Sequence, residues 1–188
     1  MRKEKCDMRM KTEGLEAYAS FDATKRIWFL CENYTVMEPM IRNFRERLID
    51  EVADQKYDSH HAKDEGLGVR IQVAFCRQND PTYNQAVNRN EIAKAIDDGY
   101  LDECFFEGTS NREELIRKVS SYHFAKREYG QLSKALKEMK PKDRAVILPF
   151  MRKEKSIYDL AEDMQITYKA VQKKLKRIKN KLEESVVV

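Results

Sequence analysis

The strongest constraint on the fold is a pair of apolar stripes with helical spacing near the C-terminus. The first covers residues 157–164 and follows Ser156, a residue type that caps helices. The second covers residues 171–182 and follows Thr167, another capping type. Only residues 165–166 lie between the first stripe and this second cap, which leaves room for a tight turn. The pattern predicts a helix-turn-helix, two helices joined by a short turn with the second free to enter a groove.

The second predicted helix carries charge of one sign. From residue 167 to residue 182 there are seven Lys or Arg side chains and no Asp or Glu. A surface helix usually mixes its charges, because opposite charges four residues apart stabilise each other. The imbalance therefore indicates a polyanionic partner, and for this motif the natural one is double-stranded DNA. Helical geometry places the following residues opposite the apolar stripe: Lys169, Gln172, Lys173 and Lys176.

Charge is also uneven along the whole chain of 188 residues. Residues 126–188 hold 17 basic and 9 acidic residues, whereas residues 1–125 hold 19 basic and 23 acidic ones. The asymmetry favours nucleic-acid binding by the C-terminal third, and the alternative is a charged face that serves solubility only. We predict two parts, an N-terminal helical region (1–125) for dimerisation or partner contact and a DNA-binding helix-turn-helix domain (126–188).

The N-terminal region contains an apolar stripe with spacings of three and four residues, between residues 26 and 55. Pro39 interrupts it, so that either one helix kinks there or a second helix begins with Pro39 in its first turn. The stripe is either a dimerisation seam or ordinary core packing. Its members are Ile27, Leu30, Tyr34, Met37, Ile41, Phe44 and Leu48.

The middle of the chain has weaker signals. Residues 58–66 have the composition of a loop, and the alternation at residues 69–75 predicts one short strand or extended arm in an otherwise all-α fold. Asp80-Pro81 predicts the start of a helix, and Gly99 predicts its end. 

A further helix is predicted by the spacing of Ser110 and Glu113, which fits a capping box. Its apolar pattern continues until Pro141 ends it. The helix that follows Pro141 contains Pro149, so we expect that helix to kink or end there.

Several classes of protein are excluded by what the sequence lacks. It has no apolar run of membrane-spanning length and no apolar segment of a secretory signal near the N-terminus, which predicts a cytoplasmic protein. It has no phosphate-binding loop, no metal-spaced cluster and no Ser/His/Asp arrangement, so we predict no enzymatic activity, no catalytic residue, no metal site and no cofactor. Four cysteines without CxxC spacing are predicted to be reduced thiols: Cys6, Cys31, Cys76 and Cys104.

The segment 156–167 (SIYDLAEDMQIT), with Asp143-Arg144 before it and an apolar stripe after it, resembles region 4 of sigma-70-type factors. In that family the second helix reads a promoter element in the major groove, and nearby surface contacts RNA polymerase. Gln165 stands at the turn position where Gly is usual, so a left-handed backbone is expected there. Carried over by position, the resemblance implies these reading residues: Tyr168, Lys169, Gln172, Lys173 and Lys176. To these we add two basic residues as predicted phosphate contacts, Arg177 and Lys179.

Two upstream segments, GVRIQ at 68–72 and DPT at 80–82, are similar to ArpU-like late-gene regulators of Gram-positive phages. Together the features predict a sequence-specific, sigma factor-like transcription regulator of phage or prophage late genes, nucleoid-associated in a bacterial host. The alternative is a module that binds RNA polymerase or another regulator and has only weak DNA affinity. A homodimer is expected if two-fold symmetry extends the short site of one helix-turn-helix.

Overall fold

The computed structural model describes residues 14–64, 81–99, 101, 104–106, 109 and 111–186. Within these ranges every regular element is helical, which confirms the predicted all-α class. Short 3-10 turns lie at Tyr18–Ser20 and Cys104–Phe106. The longer helices are α1 (Ala23–Glu32), α2 (Met37–Asp64), α3 (Pro81–Asp98), α4 (Arg112–Glu138), α5 (Pro141–Met151), α6 (Ile157–Asp163) and α7 (Tyr168–Val186). The strand or arm predicted near residues 69–75 lies outside the described residues.

Pro39 lies in the first turn of a second helix, so the chain follows the second of the two alternatives. Because α2 begins at Met37, the missing N–H of Pro39 removes no bond that the helix would otherwise make. The stripe that crosses the α1–α2 junction is core, since all its members except the half-buried Tyr34 are buried inside one chain. These side chains therefore leave no exposed seam for a dimer.

Helix α2 corrects one prediction. Residues 58–64, which the composition assigned to a loop, form its last two turns. A helix propagates easily once it has started, and the first glycine after Pro39 is Gly66. Polar composition alone was a poor indicator of a loop here.

The ends of α3 and α4 match the predicted boundaries with one exception. Pro81 is the first residue of α3, and Gly99 follows its end with a φ of +69°. Helix α4 ends at Glu138, before Pro141. The predicted capping box is wrong, because Asn111 is the N-cap of α4 and its side chain makes no capping bond.

Helix α4 is the central element of the core. The predicted boundary after residue 125 lies within it, and its buried residues extend from Leu115 to Leu136. On α4 the carboxylate of Glu128 is fully buried, accepts a 2.7 Å hydrogen bond from the Tyr18 hydroxyl and lies 3.2 Å from the Arg26 guanidinium. Burial raises the pKa of Tyr18 well above its usual value. This polar cluster joins the segment that contains Tyr18 and Arg26 to α4.

None of the helices in the described part of the chain is apolar over a length that could cross a bilayer.

Candidate nucleic-acid interface

Helices α5 and α6 form the base on which α7 is held. Pro149 lies in the last turn of α5, which ends two residues later, as expected for a proline that late in a helix. The connection reaches Ser156, whose hydroxyl accepts a bond from the Asp159 N–H (3.2 Å) while the Asp159 carboxylate accepts one from the Ser156 N–H (2.7 Å). This reciprocal capping box starts α6 at the predicted residue. The bond that the Asp159 carboxylate accepts from the Ser156 N–H also lowers the pKa of Asp159.

The turn between α6 and α7 depends on one left-handed residue. Gln165 has a φ of +53°, as its position in the turn predicted. The turn is closed by a 3.0 Å bond from the Ile166 N–H to the Ala161 carbonyl. The Thr167 hydroxyl then accepts a bond from the Ala170 N–H at 3.3 Å and caps α7, as predicted. The angle between the two helices is therefore set by local hydrogen bonds.

One face of α7 is buried along its length. The predicted inward residues are between 0% and 4% exposed, and α7 packs against α1, α4, α5 and α6. They are Val171, Leu175, Ile178 and Leu182. A helix anchored on four neighbours presents its other face in a fixed orientation.

The opposite face of α7 is exposed and basic. Five of the predicted site residues lie on it with exposed side chains, and Tyr168, the first residue of the helix, is half-buried. The exposed five are Lys169, Gln172, Lys173, Lys176 and Arg177. Asn180 and Lys181 continue the same surface toward the C-terminus, where Glu184 borders it and the Asp143 carboxylate of α5 lies 3.6 Å from the Lys181 Nζ atom. The structure thus brings six of the seven predicted residues to one surface.

Lys179 is the exception. Sequence reasoning placed it among the exposed phosphate contacts, and the structure corrects this, because its side chain is buried. Its side chain is only 4% exposed, and its Nζ atom lies 3.5 Å from the centre of the Trp28 ring and 5.4 Å from that of Phe150. Burial lowers the pKa of Lys179. The residue lies about 80° around the helix axis from Val171, at the edge of the apolar stripe. At such a position helical periodicity does not settle whether a side chain is exposed, and here α1 covers it. An ammonium covered in this way is not available to a phosphate.

Two aromatic residues beside α7 were missed by sequence reasoning. Trp28, on α1, is 43% exposed beside Lys179. Tyr158, on α6, is 72% exposed, and its ring centre lies 4.7 Å from that of Tyr168. Tyr158 falls outside the apolar stripe of α6, which was the available signal that it faces solvent.

The remaining sequence predictions concern thiols and metals. Cys31 is a free, buried cysteine, and burial raises its pKa to about 11. Cys6 and Cys76 lie outside the described residues. No group of His, Cys, Asp or Glu suited to a metal ion occurs in the part of the chain that the structure describes.

Comparison with known proteins identifies this part of the chain. The family model described as sigma-70, region 4 matches residues 129–182, which run from the second half of α4 through most of α7. No curated protein and no solved structure matches the chain. Residues 129–182 are therefore a sigma-70 region 4-like helix-turn-helix, a type of domain that points to DNA-binding regulation of transcription.

Proposed function

We propose that this protein is a sequence-specific DNA-binding transcription regulator that inserts α7 into the major groove. The observation that carries the proposal is the exposed face of α7, which is cationic while the reverse face is anchored on four helices. A rigidly held helix with such a face can meet phosphates and base edges together. The role is a binding role, without catalysis or a cofactor.

The exposed residues divide between two tasks. Gln172 and Lys169 are the base readers, since Gln pairs with adenine and Lys with guanine in the major groove. Lys173, Lys176 and Arg177 contact phosphates. Three such contacts predict that affinity falls about 40-fold between about 50 and 200 mM salt, from a slope of about −0.9 per phosphate. Tyr168, at the start of α7, packs on a thymine methyl or on the backbone.

We further propose a cellular setting. The resemblance of residues 68–72 and 80–82 to ArpU-like proteins supports control of phage or prophage late genes, in the cytoplasm of a bacterial host. The region 4 match supports RNA polymerase as a second partner. In this scheme residues 126–188 bind DNA, and residues 1–125 contact the partner or a second copy of the chain.

One observation favours the alternative, an interaction module with weak DNA affinity. Trp28 is partly exposed beside α7, and aromatic residues of this kind often dominate protein–protein contacts. In this case polymerase or another regulator supplies the specificity.

The proposal is tested by selecting binding sites from random duplex DNA. The wild-type protein is compared with a triple variant, Lys169→Ala, Gln172→Ala and Lys173→Ala. A matched control, Lys134→Ala with Lys137→Ala, also removes two positive charges, but from exposed positions of α4. We expect one enriched motif for the wild type and the control, and none for the triple variant.

The other results are equally informative. A two-fold symmetric motif indicates a homodimer, and a single asymmetric motif indicates a monomer on DNA. Salt-sensitive binding by the wild type without any enriched motif refutes sequence-specific reading and supports the alternative.

A single substitution tests the base-reading role. We expect Gln172→Ala to relax the preference at one base pair, at a cost of about 1–3 kcal/mol for the preferred base. The measurement is a competition assay with duplexes that vary one position at a time. An equal loss on every duplex contradicts base reading by Gln172.

A further inference from the structure

An exposed aromatic pair lies next to the basic surface of α7. Tyr158, the second residue of α6, meets Tyr168, the first residue of α7, with a 4.7 Å separation of ring centres and an angle of 34° between the ring planes. Tyr158 is 72% exposed even so. Within the described part of the chain, neither hydroxyl has a hydrogen-bond partner in the protein. The pair therefore presents an unused donor to solvent at the end of the helix that is proposed to enter DNA.

The dimensions of the major groove decide what this donor meets. A helix with its side chains is about 10–12 Å across, and the groove is about 12 Å wide. The first turn of α7 therefore fills the groove, and a side chain that flanks this turn faces the sugar-phosphate wall rather than a base edge. Contact with the Tyr168 ring holds Tyr158 at that flank. A phenolic hydroxyl is one of the groups that commonly donate to phosphate oxygens.

We propose that Tyr158 is a DNA-contacting residue of the supporting helix α6, whose hydroxyl donates to a phosphate at the edge of the groove. Its ring also holds Tyr168 in place, so that the start of α7 enters the groove in one register. This inference rests on the proposed function. It adds an uncharged contact, which can be distinguished from the lysine and arginine contacts of α7.

The neutral contact has a distinctive signature in the salt dependence. Removing a lysine–phosphate contact reduces both the affinity and its salt slope, because a counterion is no longer released. Removing a hydroxyl–phosphate bond reduces the affinity and leaves the slope unchanged. Tyr158→Phe keeps the ring contact and removes only the hydroxyl. We expect it to weaken binding about 3- to 10-fold on every duplex, as for the loss of one net hydrogen bond.

The experiment measures the affinity of the full chain for its selected site and for an unrelated duplex, at several salt concentrations. Lys173→Met serves as the comparison in which a charged phosphate contact is lost. Tyr129→Phe is the matched control, because its hydroxyl lies 3.5 Å from the Tyr34 carbonyl in the body of the protein. We expect the control to bind as the wild type does.

Each outcome decides the inference. A uniform loss with an unchanged slope in Tyr158→Phe supports it. If this variant binds with wild-type affinity, the phosphate contact is refuted. A loss confined to one sequence refutes it as well. Both results leave the proposed function unaffected. Absence of DNA binding by the wild-type protein overturns the proposed function and this contact with it.

Discussion

The buried ammonium of Lys179 provides the most demanding test of the structure. Sequence reasoning placed this lysine among the phosphate contacts, whereas in the folded chain its Nζ atom lies over the Trp28 ring. Lys179→Met removes the charge and keeps an unbranched side chain of similar length. Lys173→Met makes the same change on the exposed face of α7. The two variants differ only in where the charge was.

The expected magnitudes follow from these positions. Each phosphate contact contributes about 0.9 to the salt slope, so Lys173→Met should weaken DNA binding while reducing the slope by about that amount. Lys179→Met should leave the slope unchanged. Its effect on stability is the sum of a lost cation–π contact, about 0.5–2 kcal/mol, and a relieved desolvation cost, so a small change in the free energy of unfolding is expected. Lys179→Ala also loses three buried methylenes and should cost about 2 kcal/mol.

The pH dependence of stability has a definite sign. Burial lowers the pKa of Lys179, so above this lowered pKa the unfolded chain binds more protons than the folded protein. The desolvated Lys179 should therefore make the wild-type free energy of unfolding increase as the pH rises from the lowered pKa toward the ordinary value of about 10.4. Lys179→Met should lack this gain.

Urea unfolding followed by circular dichroism at several pH values measures stability, and DNA titrations at several salt concentrations measure the slope. A slope reduced by about 0.9 in Lys179→Met would refute the buried position, because only a lysine that reaches a phosphate releases a counterion. Identical pH dependence in the wild type and Lys179→Met would refute the desolvation argument.

Two further substitutions test the turn and the core by urea unfolding. Gln165→Gly should raise the free energy of unfolding by about 0.5 kcal/mol, because relief of a left-handed residue (about 1–2 kcal/mol) exceeds the added entropy of the unfolded chain; Gln165→Ala is the control, and an equal gain there would contradict the backbone argument. Glu128→Gln should lower it by about 3 kcal/mol, since the Arg26 charge loses its buried partner; a change near zero would show that solvent compensates this charge.

Local signals account for the success of the sequence analysis at the C-terminus. The Ser156 cap, the Thr167 cap and the left-handed Gln165 each depend on atoms within five residues along the chain. The apolar stripes of α6 and α7 depend only on helical periodicity. The helix-turn-helix was therefore predictable from residues 156–182 alone, together with the exposed basic face of α7.

Where the analysis failed, the local signals were ambiguous. Ser110 and Glu113 fit a capping box, but α4 starts one residue later, with Asn111 as its N-cap. Residues 58–64 have a polar composition that suits a loop as well as an exposed helix, and the preceding turns of α2 continue through them. Boundaries of this kind depend on which of two similar local conformations the rest of the fold favours.

By itself, then, the sequence determined the helical class, the helix-turn-helix and the basic character of α7. The tertiary structure alone decided which side chains at the margins of these helices are covered. Lys179 is buried because Trp28, about 150 residues earlier in the chain, lies against it. Tyr158 is left at the surface beside Tyr168 because the turn brings two helix starts together. Periodicity gives the direction of a side chain from its own helix, and only packing between distant segments determines what it meets there.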